Sequence, residues 1–252
     1  MNDEINKMAV WFRANKMAVN VQKTKFIVFH TRGKQVNEED CVLTYNANEP
    51  DQPADQDLIY TLERYHDKHV NKNCRSYKLL GVYLDEFMSF NQHTNHICNK
   101  LSKALYCINR AKSFINIKSL KTLYYALIHS NLNYCPLIFN STSQKNIAKI
   151  STIQRKAIRV VTKSKYRAHT DPLFKEHGIL PFEKIIYLSA SLFMHSIEYG
   201  YAPIAFIDVW TKNNNRDLIY GLRNNNDYVI PHPELKFSKN LHFTTCLLSG
   251  IT

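Results

Sequence analysis

The sequence predicts an α+β fold, mainly α, in which short strands lead into a helical bundle. Three observations carry this prediction. Short apolar, β-rich runs punctuate the first third of the chain, and from Ser89 onward apolar residues recur at helical spacing. Only six of the 252 residues are glycine, against a usual share of about 7%. The charge is also divided. The chain holds 33 Lys+Arg and 21 Asp+Glu, a net charge of +12. Residues 87–170 carry 14 of the basic groups and no acid, so the other 19 are outnumbered by all 21 acids. With 44% hydrophobic residues the chain can bury a core.

Residues 2–16 read as a helix. Asn2 or Asp3 can cap it, and Ile5, Met8, Ala9 and Phe12 share one face. Residues 25–30 (KFIVFH) are apolar and β-rich and read as a strand, as do residues 41–45. Residues 31–40 and 46–57 are polar loops, the second with two prolines. A strand is expected over Ile59–Tyr65 and a clearer one over 77–84. Gly81, inside that run, suggests a bulge or a close backbone approach.

Four longer helices follow. Phe90, Thr94, Ile97, Leu101, Leu105, Ile108 and Ile115 form one face of the first. Leu120, Leu123, Tyr124, Leu127 and Ile128 start the second, which ends near Pro136. Ile147, Ile150, Ile153, Ala157 and Val161 define the third, and Phe182–Tyr199 the fourth. The expected division is residues 1–86, 87–200 and a partly irregular extension, 201–252.

Several classes are excluded. The opening Asn2-Asp3-Glu4 is unlike a signal peptide. The longest uncharged window, Thr122–Gln144, is broken by His129, Asn131, Asn133 and Pro136, so no membrane span is expected. The six cysteines show no CxxC and read as reduced thiols. An intracellular protein, nuclear or cytoplasmic and not secreted, is expected.

The basic block has a spatial pattern. On the third helix Lys145, Lys149, Lys156, Arg159 and Lys163 fall within an arc of about 80°, and Arg155 flanks it. The isoleucines point the other way. On the first helix Lys103 and Arg110 lie opposite the apolar seam, Lys100 flanks it, and Lys112 falls near it in the last turn. A solvated face normally mixes signs in i, i+4 pairs. Fourteen cations without an acid repel one another unless an anion neutralises them, and a phosphate backbone is the commonest such anion. A membrane surface fits less well, because the helix offers no Trp or Phe for insertion. Tyr124, Tyr125 and Tyr134 lie in the block, but aromatics at helical spacing are more often core.

The sequence carries none of the common catalytic motifs. GxxxxGK[ST], GxGxxG, GxSxG and HExxH are all absent. His66/His69 and His93/His96 have HxxH spacing, yet Cys98 would project about 160° from His96 on a helix. Glu38-Glu39-Asp40 reads as a solvated loop. No metal site is expected.

The order of the pieces carries a resemblance. WFRANKMAVNVQKTKFIVFH (11–30) is followed by KLLGVYLD (78–85), FNQHTNHICNKLSK (90–103), LNYC (132–135), IQRKAIR (153–159), and GLRNNN (221–226) before Pro231. Over about residues 5–235 this series resembles the reverse transcriptases of non-LTR (LINE-type) retrotransposons, downstream of their catalytic aspartates. The resemblance implies that residues 1–86 are the end of a palm-like domain and 87–200 a helical thumb. Asn20, Lys23 and Thr24 resemble motif D, N-x-x-K-T, whose lysine could donate charge or a proton to pyrophosphate. Leu80 and Gly81, with Asp85, resemble the motif E hairpin that grips the primer end. The implied partner is RNA, DNA or an RNA–DNA duplex, held by Lys100, Lys103, Arg110, Lys145, Lys149, Arg155, Lys156, Arg159 and Lys163.

The chain departs from the family's pattern at Thr94, where an apolar residue is usual, and at Cys135 and Phe139, where Gly and Trp are usual. The aspartate pair of YxDD should precede Trp11, and no Asp-Asp pair occurs anywhere. Polymerisation needs carboxylates holding two Mg²⁺ ions about 4 Å apart. Mg²⁺ is thus expected of a complete enzyme, and this chain alone is expected to bind without polymerising. The alternative is a non-catalytic helical module that binds an acidic protein partner.

Overall fold

The computed structural model describes residues 2–31, 33, 42–46, 59–64 and 76–207. Helices account for 59% of these residues, so the fold is α+β and mainly α. The chain divides into two compact units, residues 1–88 and 89–252.

In the first unit, α1 (Asn2–Ala14) has Asp3 and Glu4 in its first turn and Arg13 in its last, both favourable to the helix dipole. It lays Ala9 and Ile5 against Leu43, Tyr45 and Leu62, with Val19, Val21 and Phe26 at the margin. Met8, expected on the buried face, is instead exposed. Strands β1 (Lys25–Phe26), β2 (Leu43–Asn46) and β3 (Ile59–Arg64) form a sheet in the order β1-β3-β2. β3 pairs in parallel with β1, through Lys25↔Glu63, and antiparallel with β2, through Leu43↔Leu62. The strand expected over 25–30 is thus only two residues long. His30 leaves the ladder, donating its backbone N–H to Glu86 O at 3.0 Å.

The strand expected over 77–84 is a hairpin of β4 (Ser76–Leu79) and β5 (Val82–Asp85). Gly81 sits at its tip, not in a bulge. Leu80 and Gly81 take φ +46° and +89°, the signs a two-residue type I′ turn requires.

The second unit is built on α2 (Asn91–Ala111), whose buried face carries His93, Thr94, Ile97, Leu101 and Ile108. A turn at 112–115 ends it short of Ile115. Asn116 then caps α3 (Ile117–Tyr124), its Oδ1 accepting from Ser119 N at 2.8 Å. The helix widens into a π turn, Tyr125–His129, and ends as α4 (Ser130–Leu132). Leu120, Tyr124, Ile128 and Leu132 are all fully buried. A spacing of four drifts about 40° per step on an α-helix, and the wider turn takes up part of that drift.

A 3₁₀ turn (Pro136–Ser141) follows, then α5 (Gln144–Val161), α6 (Thr170–Glu176), α7 (Phe182–Glu198) and α8 (Ile204–Ile207). Phe139 is fully buried, with its ring 5.7 Å from that of His93 and 5.1 Å from that of Phe182. Thr142 Oγ1 donates to Ser89 O, and Asn146 Nδ2 donates to Asn91 Oδ1 at 2.7 Å, tying the starts of α2 and α5 together.

Cys135, which stands where the resembling family usually has Gly, is left-handed with φ +47°. That conformation costs a non-glycine residue roughly 1–2 kcal/mol, more than the ~0.5–1 kcal/mol of entropy a glycine loses on folding. Cys135→Gly should therefore raise stability by about 0.5–1 kcal/mol, read as a higher urea midpoint. Cys135→Ala, which keeps the Cβ, should gain nothing.

Candidate functional site

The seam between α2 and α5 opens toward its C-terminal end into a groove of about 610 Å³. Lys112, the C-cap of α2, and Lys156, Arg159 and Lys163 from α5 and the turn after it converge there, and Leu105 and Val160 supply apolar wall. Tyr106 and Tyr166 also line the groove, 65% and 82% exposed. No lining residue is acidic.

Two of the cations are held in place. Lys163 follows the C-cap Thr162 of α5 with φ +54°, in a reverse turn where Ser164 N donates to Arg159 O at 3.0 Å. Its Nζ donates to Ile115 O at 2.9 Å. Arg159 donates Nε to Ala168 O at 2.8 Å, which leaves its terminal nitrogens to face an anion.

A smaller depression of about 310 Å³ adjoins it, lined by Arg155, Arg159 and Arg167 together with Asp171. Arg155 also lies 3.9 Å from Glu183 Oε1 of α7, which accepts from Ser151 Oγ at 2.6 Å. Acids from outside the basic block thus answer the arginines on this side. The α2–α5 groove has no such counter-charge among its lining residues.

Of the nine cations expected to bind, Lys156, Arg159 and Lys163 share the groove. Lys149 lies further along the same seam, its Nζ 3.5 Å from Asn95 Oδ1 of α2. Arg155 turns toward Glu183. Lys145, Lys100, Lys103 and Arg110 are exposed and do not line the groove. Of the three tyrosines weighed for base stacking in the sequence, Tyr124 is wholly buried and Tyr125 and Tyr134 are partly exposed. Lys112, Tyr106 and Tyr166 are additions from the structure. For Tyr106 a signal existed, since Ser102, Tyr106, Asn109 and Ser113 recur at i, i+4, i+7 and i+11.

The motif D-like residues form a turn before β1. Asn20 Oδ1 accepts from Lys23 N at 3.1 Å, and Thr24 Oγ1 donates to Asn20 O at 2.9 Å. This Asx-type closure leaves the Lys23 side chain exposed. At the hairpin tip Leu80 is 83% exposed, a large apolar side chain on a strained backbone.

His93 and His96 do not form a metal site with Cys98. His93 packs on Phe139, and burial first, then the charges of His96 and Lys100, lower its pKa to about 4. Burial likewise raises the pKa of the Cys98 thiol, with Lys149 opposing. No group of three His, Cys, Asp or Glu among the described residues could hold a metal ion. His66, His69, Cys74, the acidic triplet at 38–40, Arg223 and Pro231 lie outside the described residues. No described helix is long and apolar enough to cross a membrane. The chain matches no family model, curated protein or solved structure.

Proposed function

We propose that this chain is the palm-end and thumb portion of a LINE-type reverse transcriptase and that its thumb binds the sugar–phosphate backbone of an RNA–DNA template–primer. The observation that carries the binding is the α2–α5 groove, where four cations face one opening with no acid in its lining. Neutralising such a cluster with phosphates removes its self-repulsion and releases the counterions condensed on the nucleic acid. Three local geometries support the family reading. The N-x-x-K-T residues close a turn before a strand, Leu80 and Gly81 form a hairpin tip, and Cys135 occupies a left-handed position where the family has glycine.

The proposal assigns binding and no chemical step. Mg²⁺ belongs to the complete enzyme's aspartates, and the residues described do not supply a two-metal site. Lys23 has no pyrophosphate to act on without it.

The test is binding of a labelled RNA–DNA duplex at about 0.1 M salt. The triple variant Lys149→Ala, Lys156→Ala, Arg159→Ala should weaken binding roughly 500-fold, because each lost phosphate contact removes about 0.9 from the log–log salt slope. Polyglutamate at equal charge should compete poorly. Competition as strong as the duplex's own would favour the acidic-protein alternative.

A further inference from the structure

We propose that the α2–α5 groove takes an unpaired nucleotide, its base stacked on Tyr106 or Tyr166 and its phosphates held by Lys156, Arg159 and Lys163. This inference rests on the reading of the basic surface as a nucleic-acid interface and adds to it an unpaired nucleotide at this site.

Size is the first argument. A concavity of about 610 Å³ falls within the range of small-ligand sites, about 300–1,000 Å³. That volume suits a single nucleotide entering a cleft. Aromatic exposure is the second. Tyr106 and Tyr166 keep 65% and 82% of their surface in water, so neither ring is core. In a duplex the faces of the bases are covered by their neighbours in the stack. Away from a duplex end, a tyrosine therefore stacks far more readily on an unpaired base, and such stacking tolerates any sequence.

Preorganisation is the third argument. The Lys163 ammonium and the Arg159 guanidinium each give one donor to a backbone carbonyl, Ile115 O and Ala168 O. Those bonds fix both heads while leaving further donors for phosphate oxygens, four of them on the two terminal nitrogens of the planar guanidinium. The apolar Leu105 and Val160 beside them suit the flat face of a base. The groove thus pairs fixed phosphate donors with aromatic rims, the combination used for single strands without sequence preference.

The experiment compares a labelled 12-nucleotide single strand with a blunt RNA–DNA duplex of the same length, using the full chain and fluorescence anisotropy. Tyr106→Ala with Tyr166→Ala should weaken single-strand binding by roughly 10- to 100-fold and leave the blunt duplex within about twofold. Tyr106→Phe with Tyr166→Phe should restore the single strand. Both tyrosines are exposed, so thermal unfolding of the variants should match the parent. Unchanged single-strand affinity in the alanine variant would overturn the nucleotide site while leaving duplex binding standing. An equal loss on both probes would overturn it as well, because the tyrosines would then serve the surface in general. If the parent binds neither probe, the nucleic-acid reading itself fails.

Discussion

Gln154→Ala should destabilise the helical unit by about 3–5 kcal/mol, the largest loss expected of any single change outside the apolar core. Gln154 is 1% exposed at the centre of α5. Its Nε2 donates to Tyr124 Oη and to Leu180 O, both at 2.9 Å, and its Oε1 accepts from Phe182 N at 2.8 Å. One side chain therefore links α3, α5 and the start of α7. Truncation leaves three polar groups without this partner, each costing about 1–3 kcal/mol if it stays dry, and adds a cavity. Tyr124 is itself buried, which pushes its pKa up to about 12 despite the bond from Gln154, so it cannot ionise as compensation. Gln154→Met keeps the volume and removes the bonds. It should retain most of the loss in urea denaturation, whereas near-parent stability would show that packing and not the network matters.

The second large effect depends on pH. His93 is fully buried against Phe139, and its pKa is lowered from 6.5 to about 4. The folded chain therefore holds it neutral. The unfolded chain takes up a proton as pH falls through 6.5, and the folded chain does so only near 4. Its contribution is complete above about pH 6.5 and is lost progressively from there to pH 4, on the order of 3 kcal/mol in all and about 2 kcal/mol by pH 5. His93→Gln removes this titration. Between pH 7.5 and 5 the parent should lose about 2 kcal/mol more stability than the variant. Equal losses in the two proteins would show that His93 is protonated in the folded state at pH 5.

The helical half was legible because periodicity reports burial directly. Leu101, Ile108, Ile150, Ala157 and Val161 all fall on the faces their spacing predicts. The hairpin was less legible. A type I′ turn is usually signalled by Asn-Gly, and Leu80 in that place made residues 77–84 read as one strand. Met8 was misplaced because a short helix lying on a three-stranded sheet buries a narrower stripe than the i, i+3, i+4, i+7 pattern assumes. The cationic stripe on α5 could be read from one helix, but its division could not. Arg155 is drawn aside by Glu183 of α7, 28 residues away, and only tertiary packing brings them together. The groove needs α2 and α5 side by side, and Tyr166 reaches it from a loop with no period to read.

The most direct measurement is the salt dependence of duplex binding by the parent chain and by the variant Lys149→Ala, Lys156→Ala, Arg159→Ala. If Lys149 and the four groove cations Lys112, Lys156, Arg159 and Lys163 together neutralise about five phosphates, the log–log slope should be near −4.5. Removing three of them should bring it to about −1.8. A slope that is the same in parent and variant would contradict the basic thumb as the nucleic-acid interface.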